Sequence, residues 1–90
     1  MQVRWSPRAS AQLDAIFDYV AADNESAAVR QVRLILAATR QIGQFPECGR
    51  PSNAGYAREL AVPGTPYVIL YTLHKDLVKL ISIKHGARLR

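Results

Sequence analysis

With a single cysteine, Cys48, the 90-residue chain cannot form an internal disulfide or a zinc site built on several thiolates. A small secreted scaffold stapled by disulfides is excluded, and a reducing compartment fits. Histidine is scarce too: His74 and His85 are the only two, with no carboxylates at metal-ligand spacing around them. No metal and no cofactor are expected. No apolar run approaches the roughly 20 residues that cross a bilayer. Residues 1–5 lack the basic stretch and apolar core of a signal peptide, so the expectation is no membrane contact and a cytoplasmic location. Glycine and proline number five each, the usage of an ordinary globular fold rather than a fibrous or disordered one. No glycine-rich loop joins a strand to a helix, which removes a nucleotide-type phosphate cradle. Nothing local marks Cys48 or any serine as a nucleophile.

Acidic residues are also missing from one half. The net charge is +5, twelve Lys and Arg against seven Asp and Glu. Residues 1–48 carry five of each sign and cancel, whereas residues 49–90 carry Arg50, Arg58, Lys75, Lys79, Lys84, Arg88 and Arg90 against Glu59 and Asp76 alone. Such an imbalance suits an acidic protein or a nucleic acid, with a merely solvated basic face as the bland alternative. At this length the chain forms one small domain over residues 1–90, because it buries only about 60 to 65% of its unfolded surface.

The periodicity that is present orders the elements. Gln2-Val3-Arg4-Trp5 alternates as a short strand over residues 2–5, and Ser6-Pro7 stops it. Ser6 as N-cap and Pro7 at the first helical position open a helix over residues 7–22, with Leu13, Ile16, Phe17 and Val20 on one face and Asp14 and Asp18 opposite. Asn24 caps a second helix over residues 25–43, with Ala28, Val32, Ile35, Leu36, Thr39 and Ile42 as its apolar stripe and Gly43 before Phe45-Pro46 as its stop. So short a connection makes the helices an antiparallel hairpin. Arg30, Arg33 and Arg40, with an exposed Leu34, line the other flank, a solvated face or a partner-binding one. Residues 44–55 read as a loop. Strands follow over residues 56–62, 67–73 and 77–85 with connections too short for crossovers, which makes an antiparallel meander with Tyr67-Val68-Ile69-Leu70-Tyr71 in its central strand.

The remaining chemistry lies at the end of the meander: Lys84, His85, Arg88 and Arg90, with Arg50 and Arg58 as possible neighbours in space. Cleavage of RNA by a 2′-hydroxyl needs a base, an acid, and cations for the phosphorane. His85 is the one proton-transfer candidate there, and Arg58 and Arg88 are the cations; the alternative for His85 is local hydrogen bonding at a strand end. Glu59 is a spare base only on paper, since adjacent strand residues point to opposite faces.

In order along the chain, Trp5-Ser6-Pro7, an Ala-rich first helix, Asp23-Asn24, Phe45-Pro46 and Gly49-Arg50-Pro51 are followed by Arg58-Glu59-Leu60, Pro66-Tyr67-Val68-Ile69-Leu70-Tyr71 and His85-Gly86-Ala87-Arg88. This series resembles the RelE/ParE superfamily of toxins from bacterial type II toxin-antitoxin systems, also described as plasmid stabilisation proteins. The resemblance implies an α+β fold of order β-α-α-β-β-β, the hairpin packed on a small antiparallel sheet. It implies a growth-inhibiting toxin held in a hetero-oligomer by a cognate antitoxin. RelE-like members cleave messenger RNA in the ribosome, and ParE-like members inhibit DNA gyrase without known catalysis. Tyr67 and Val68 stand where RelE-like nucleases often place an arginine, and no tyrosine follows His85, so the series is closer to the ParE branch. The expectation is a gyrase inhibitor with no catalytic residue. The alternative is a ribosome-dependent endoribonuclease using Arg58, His85 and Arg88, and a third is a non-toxic binding module of the same fold. Target contacts are expected from Arg50, Arg58, Lys84, His85, Arg88 and Arg90, and antitoxin contacts from Arg30, Arg33, Leu34 and Arg40.

Overall fold

The computed structural model of the chain describes residues 1–53 and 55–86. Strand β1 (Gln2–Trp5) leads into helix α1 (Pro7–Ala21), where Ser6 Oγ accepts the Ala9 N–H at 3.0 Å. Helix α2 (Glu25–Gln44) starts in the same manner, with Asn24 Oδ1 accepting the Ala27 N–H at 3.0 Å. Each cap satisfies a donor the helix cannot, and removing one costs about 1 kcal/mol.

Strands β2 (Arg50–Pro51), β3 (Arg58–Ala61), β4 (Tyr67–His74) and β5 (Leu77–His85) complete a five-stranded sheet of order β1-β5-β4-β3-β2. Both helices pack on one face of it. Ile16 from α1 and Ile35, Ala38 and Ile42 from α2 meet Ile69 and Tyr71 of β4 and Val78, Leu80 and Ile83 of β5.

Four expectations are corrected. The sheet is mixed rather than antiparallel, because β1 runs parallel to β5 with Val3 opposite Val78 and Trp5 opposite Leu80. The helical hairpin supplies the long crossover that a parallel pair requires. Residues 50–51, expected in a loop, form β2 against Glu59 and Arg58. The strand expected from residue 56 begins at Arg58, and Tyr56 is 86% exposed. Gly43 does not stop α2, which continues to Gln44. It is buried where a Cβ would lie 3.0 Å from Val3 Cγ2, so its lack of a side chain lets α2 approach β1. Other limits shift by one residue, with α1 ending at Ala21 and β4 at His74.

Candidate functional site

Strand β1 flanks β5 only as far as Leu80; beyond it, α1 takes the place of a strand. Ser6 N–H donates to Leu80 O at 3.0 Å, Ser6 Oγ donates to Ile81 O at 2.9 Å, and Gln12 Oε1 accepts the Ile83 N–H at 2.7 Å. Because α1 leans on the edge of β5 this way, its C-terminal half stands away from the end of the sheet. A groove of about 860 Å³ opens between them. Ala15, Ile16, Val20 and Tyr67 give it apolar walls, and His85 stands at its sheet side, where the edge of β5 at Lys84 borders it. The rings of Tyr67 and His85 meet edge to face, with centroids 5.9 Å apart at 81°. Tyr19, also lining the groove, is 79% exposed. From α2, Gln31 presents a buried Oε1 that has no hydrogen-bond partner. A buried acceptor left unmet costs about 1–3 kcal/mol, a cost that an incoming donor would remove.

A second cluster lies farther along β4, at Tyr71. The buried Tyr71 hydroxyl accepts the Gly49 N–H at 2.8 Å and donates to Pro46 O at 2.7 Å, while Arg58 Nη1 donates to Gly49 O at 2.7 Å. Together they bind the connection between α2 and β2 to the sheet. Burial raises the Tyr71 pKa above its usual 10.0, a shift reinforced by Cys48 and opposed by the Gly49 hydrogen bond and the Arg58 charge.

The expected site residues therefore fall in separate places. Arg50, exposed on β2, pairs with Glu59 at 2.8 Å. Arg58 lies on the other side of β3, turned to the loop carbonyls, so Arg58 and Glu59 do not share a site. Lys84 and His85 end β5. Arg58 is opposite Tyr71 and His85 is opposite Tyr67, four residues apart along β4, or roughly 13 Å at strand rise. The structure does not bring Arg58 and His85 together; Arg88 and Arg90 lie outside the described residues. On α2, Arg30, Arg33 and Arg40 are exposed. Leu34 is not: it is half-buried, packed on the core and close enough that a Cβ on Gly64 would lie 3.3 Å from its Cδ1. The loop before β4 folds over this part of α2, which helical periodicity alone does not reveal.

The family profile described as "ParE toxin of type II toxin-antitoxin system, parDE" matches residues 3–90. The chain belongs to this family. It is similar to Toxin RelE2 of Caulobacter vibrioides, with 39% identity over 88 residues, 98% of each chain. It is also similar to protein Y4kP of Sinorhizobium fredii, with 34% identity over 85 residues, 94% of this chain and 88% of that one. A solved chain of the chromosomal ParDE toxin-antitoxin system of P. aeruginosa has the same fold, with a TM-score of 0.85 and 26% identity over 94% of this chain and 95% of the other.

As a ParE/RelE-family toxin of a type II system, the chain has a cognate antitoxin as its implied partner. No described helix is long and apolar enough to cross a membrane. Sequence periodicity missed the groove residues Gln12, Tyr19 and Gln31, which come from three turns of two helices. The one local signal was Tyr19, an aromatic set beside Asp18 on the polar side of α1.

Proposed function

We propose that this toxin inhibits DNA gyrase and is held inactive in the cytoplasm by its antitoxin, with an apolar segment of the antitoxin filling the groove between α1 and the start of β4. The match to the ParE toxin profile over residues 3–90 carries this reading. Geometry supports it: the Arg58 guanidinium is engaged by Gly49 O and Glu47 O, and His85 lies at the far end of β4 from it. Phosphoryl transfer needs acid, base and cation within reach of one phosphate, and the distance between Arg58 and His85 counts against that use of the pair. The groove suits an amphipathic segment, apolar along its walls and bearing a donor for Gln31 Oε1.

The name of the Caulobacter relative gives weight to a second reading, a RelE-like endoribonuclease acting on ribosome-bound messenger RNA. One pair of assays separates the two. Purified toxin added to gyrase should lower supercoiling or accumulate cleaved DNA, while a translating extract should keep its messenger intact. Unaffected gyrase together with cut messenger would reverse the assignment. Inactivity in both, with antitoxin binding retained, would leave a non-toxic binding module.

A further inference from the structure

The face of the sheet away from the helices carries charge that the core does not require. Arg4 of β1 lies directly across from Lys79 of β5, and both are exposed. Like charges placed opposite each other on neighbouring strands destabilise a sheet. Lys84 falls on the same face, as the register partner of Val68, which alternates away from the buried Ile69. It is five residues from Lys79, or roughly 15 Å along the strand. The one carboxylate that the described strands place on this face, Glu59, is already paired with Arg50. Between the cations lie the half-buried Val68 and Leu70 and the small, buried side chains of Thr72 and Ser82.

We propose that this open face, through Arg4, Lys79 and Lys84, binds the phosphate backbone of duplex DNA without reading its sequence. Repulsion between Arg4 and Lys79 is relieved when a polyanion lies across them, and the basic excess of residues 49–90 supplies part of the same surface. The choice of duplex over single strand follows from the aromatic residues. Single-stranded nucleic acid is held by stacking its bases on aromatic rings. Trp5, Tyr67 and Tyr71 all alternate to the helix side, in register with Leu80, the groove residue His85, and Arg58 beneath the Gly49 loop. Among the described strands no Phe, Tyr or Trp stands on the open face. The His74 ring there is engaged with Thr72 Oγ1 at 2.9 Å. Cations without a stacking platform match a backbone, not exposed bases. The inference does not depend on the gyrase reading, because binding is measured with DNA alone.

The test is fluorescence anisotropy of the purified full chain with a labelled 24-base-pair duplex and with one of its strands, from 50 to 200 mM salt. Three phosphate contacts give a slope of about −2.7 in log K against log salt, a loss of roughly 40-fold across that range. Lys79→Ala should reduce the slope by about 0.9, and Arg4→Ala with Lys79→Ala by about 1.8. Arg8→Ala, the same charge change on exposed α1, should leave it unchanged. Circular dichroism checks that the variants fold, and the slope of the unsubstituted protein stands as a test in its own right. No duplex binding at 50 mM, a slope shallower than about −1, tighter binding of the single strand, or equal effects of Arg8→Ala and Lys79→Ala would each overturn the proposal. Loss of antitoxin affinity in the double variant without any DNA binding would assign the face to an acidic polypeptide instead.

Discussion

The hydroxyl of Tyr71 accepts the N–H of Gly49, 22 residues earlier, at 2.8 Å and donates a hydrogen bond to Pro46 O at 2.7 Å. That buried oxygen, with Arg58 on Gly49 O, closes the turn between α2 and β2. Tyr71→Phe keeps the ring but leaves the buried Gly49 N–H without its acceptor, so stability should fall by about 2 kcal/mol, on the order of 10 °C in Tm. Gly49→Ala should be worse, because its Cβ would stand 2.6 Å from the same hydroxyl and 2.8 Å from Glu59 O, a backbone atom that cannot swing aside. Denaturant titration of both variants checks the order; Gly49→Ala as stable as Tyr71→Phe would refute it.

The same residue sets an alkaline limit. Burial disfavours the phenolate, so the Tyr71 pKa is higher in the folded chain than the roughly 10 of the unfolded chain. A raised pKa means that the folded state holds its proton more tightly. The contribution is full below pH 10 and is lost as pH rises through the folded value. Unfolding free energy followed from pH 8 to 11.5 should drop at the alkaline end, and Tyr71→Phe should flatten that drop. Identical profiles would remove Tyr71 as the cause.

In the two-residue turn between His74 and Leu77, Lys75 has a φ of 48°. A side chain other than Asn, Asp or Gly in this left-handed region costs roughly 1 kcal/mol. Lys75→Asn should therefore stabilise the chain by about 0.5 to 1 kcal/mol, without the unfolded-state entropy that glycine would add. A lower Tm in Lys75→Asn would show that Lys75 makes an interaction worth more than the strain.

Much of this fold was legible because its signals are local. Ser6-Pro7 and Asn24 cap the helices, and β5 spans Leu77–His85, as its run of β-branched and apolar residues indicates. The partner of β1 was not legible. Gln2–Trp5 reads the same whichever strand it joins, and pairing with β5 depends on where the hairpin returns the chain. Nor was β2, since two residues ending in proline show no alternation and owe their pairing to Tyr71 and Arg58 holding the preceding loop. A third case is Ile81, left over where Leu70 pairs with Ser82 and Tyr71 with Leu80. That bulge changes which residues of β5 face the core. The basic residues were visible, but their division between a groove, a loop clamp and an open face is a matter of register.

At the groove, Ala15 is exposed on the wall facing the end of β5. Ala15→Arg adds a long cation where an apolar segment is proposed to lie, at a position where the free toxin loses nothing. Tyr19→Ala removes a large exposed ring of the kind that dominates interface energetics, and should weaken antitoxin binding by about 1 to 3 kcal/mol. Calorimetric titration with the antitoxin would measure both, and cells expressing the pair should lose protection. Unchanged affinity in both variants would place the antitoxin elsewhere, with the exposed Arg30, Arg33 and Arg40 flank of α2 as the next surface to alter.

Arg88 and Arg90 follow β5 in the sequence and extend the basic run that begins with Lys84. The core is already closed by Leu80 and Ile83 of β5, and charge changes outside a core usually shift stability by less than about 0.5 kcal/mol. They do add two positive charges to an already basic chain, and electrostatic attraction changes association with an acidic partner. Arg88→Ala with Arg90→Ala should therefore reduce growth inhibition while leaving Tm within about 2 °C. The ionic-strength dependence of toxin-target association separates the possible roles. A steering role predicts a shallower dependence in the double variant, whereas a variant that kills as well as the parent would make the end of the chain solvated surface, and one that unfolds would make Arg88 a structural residue.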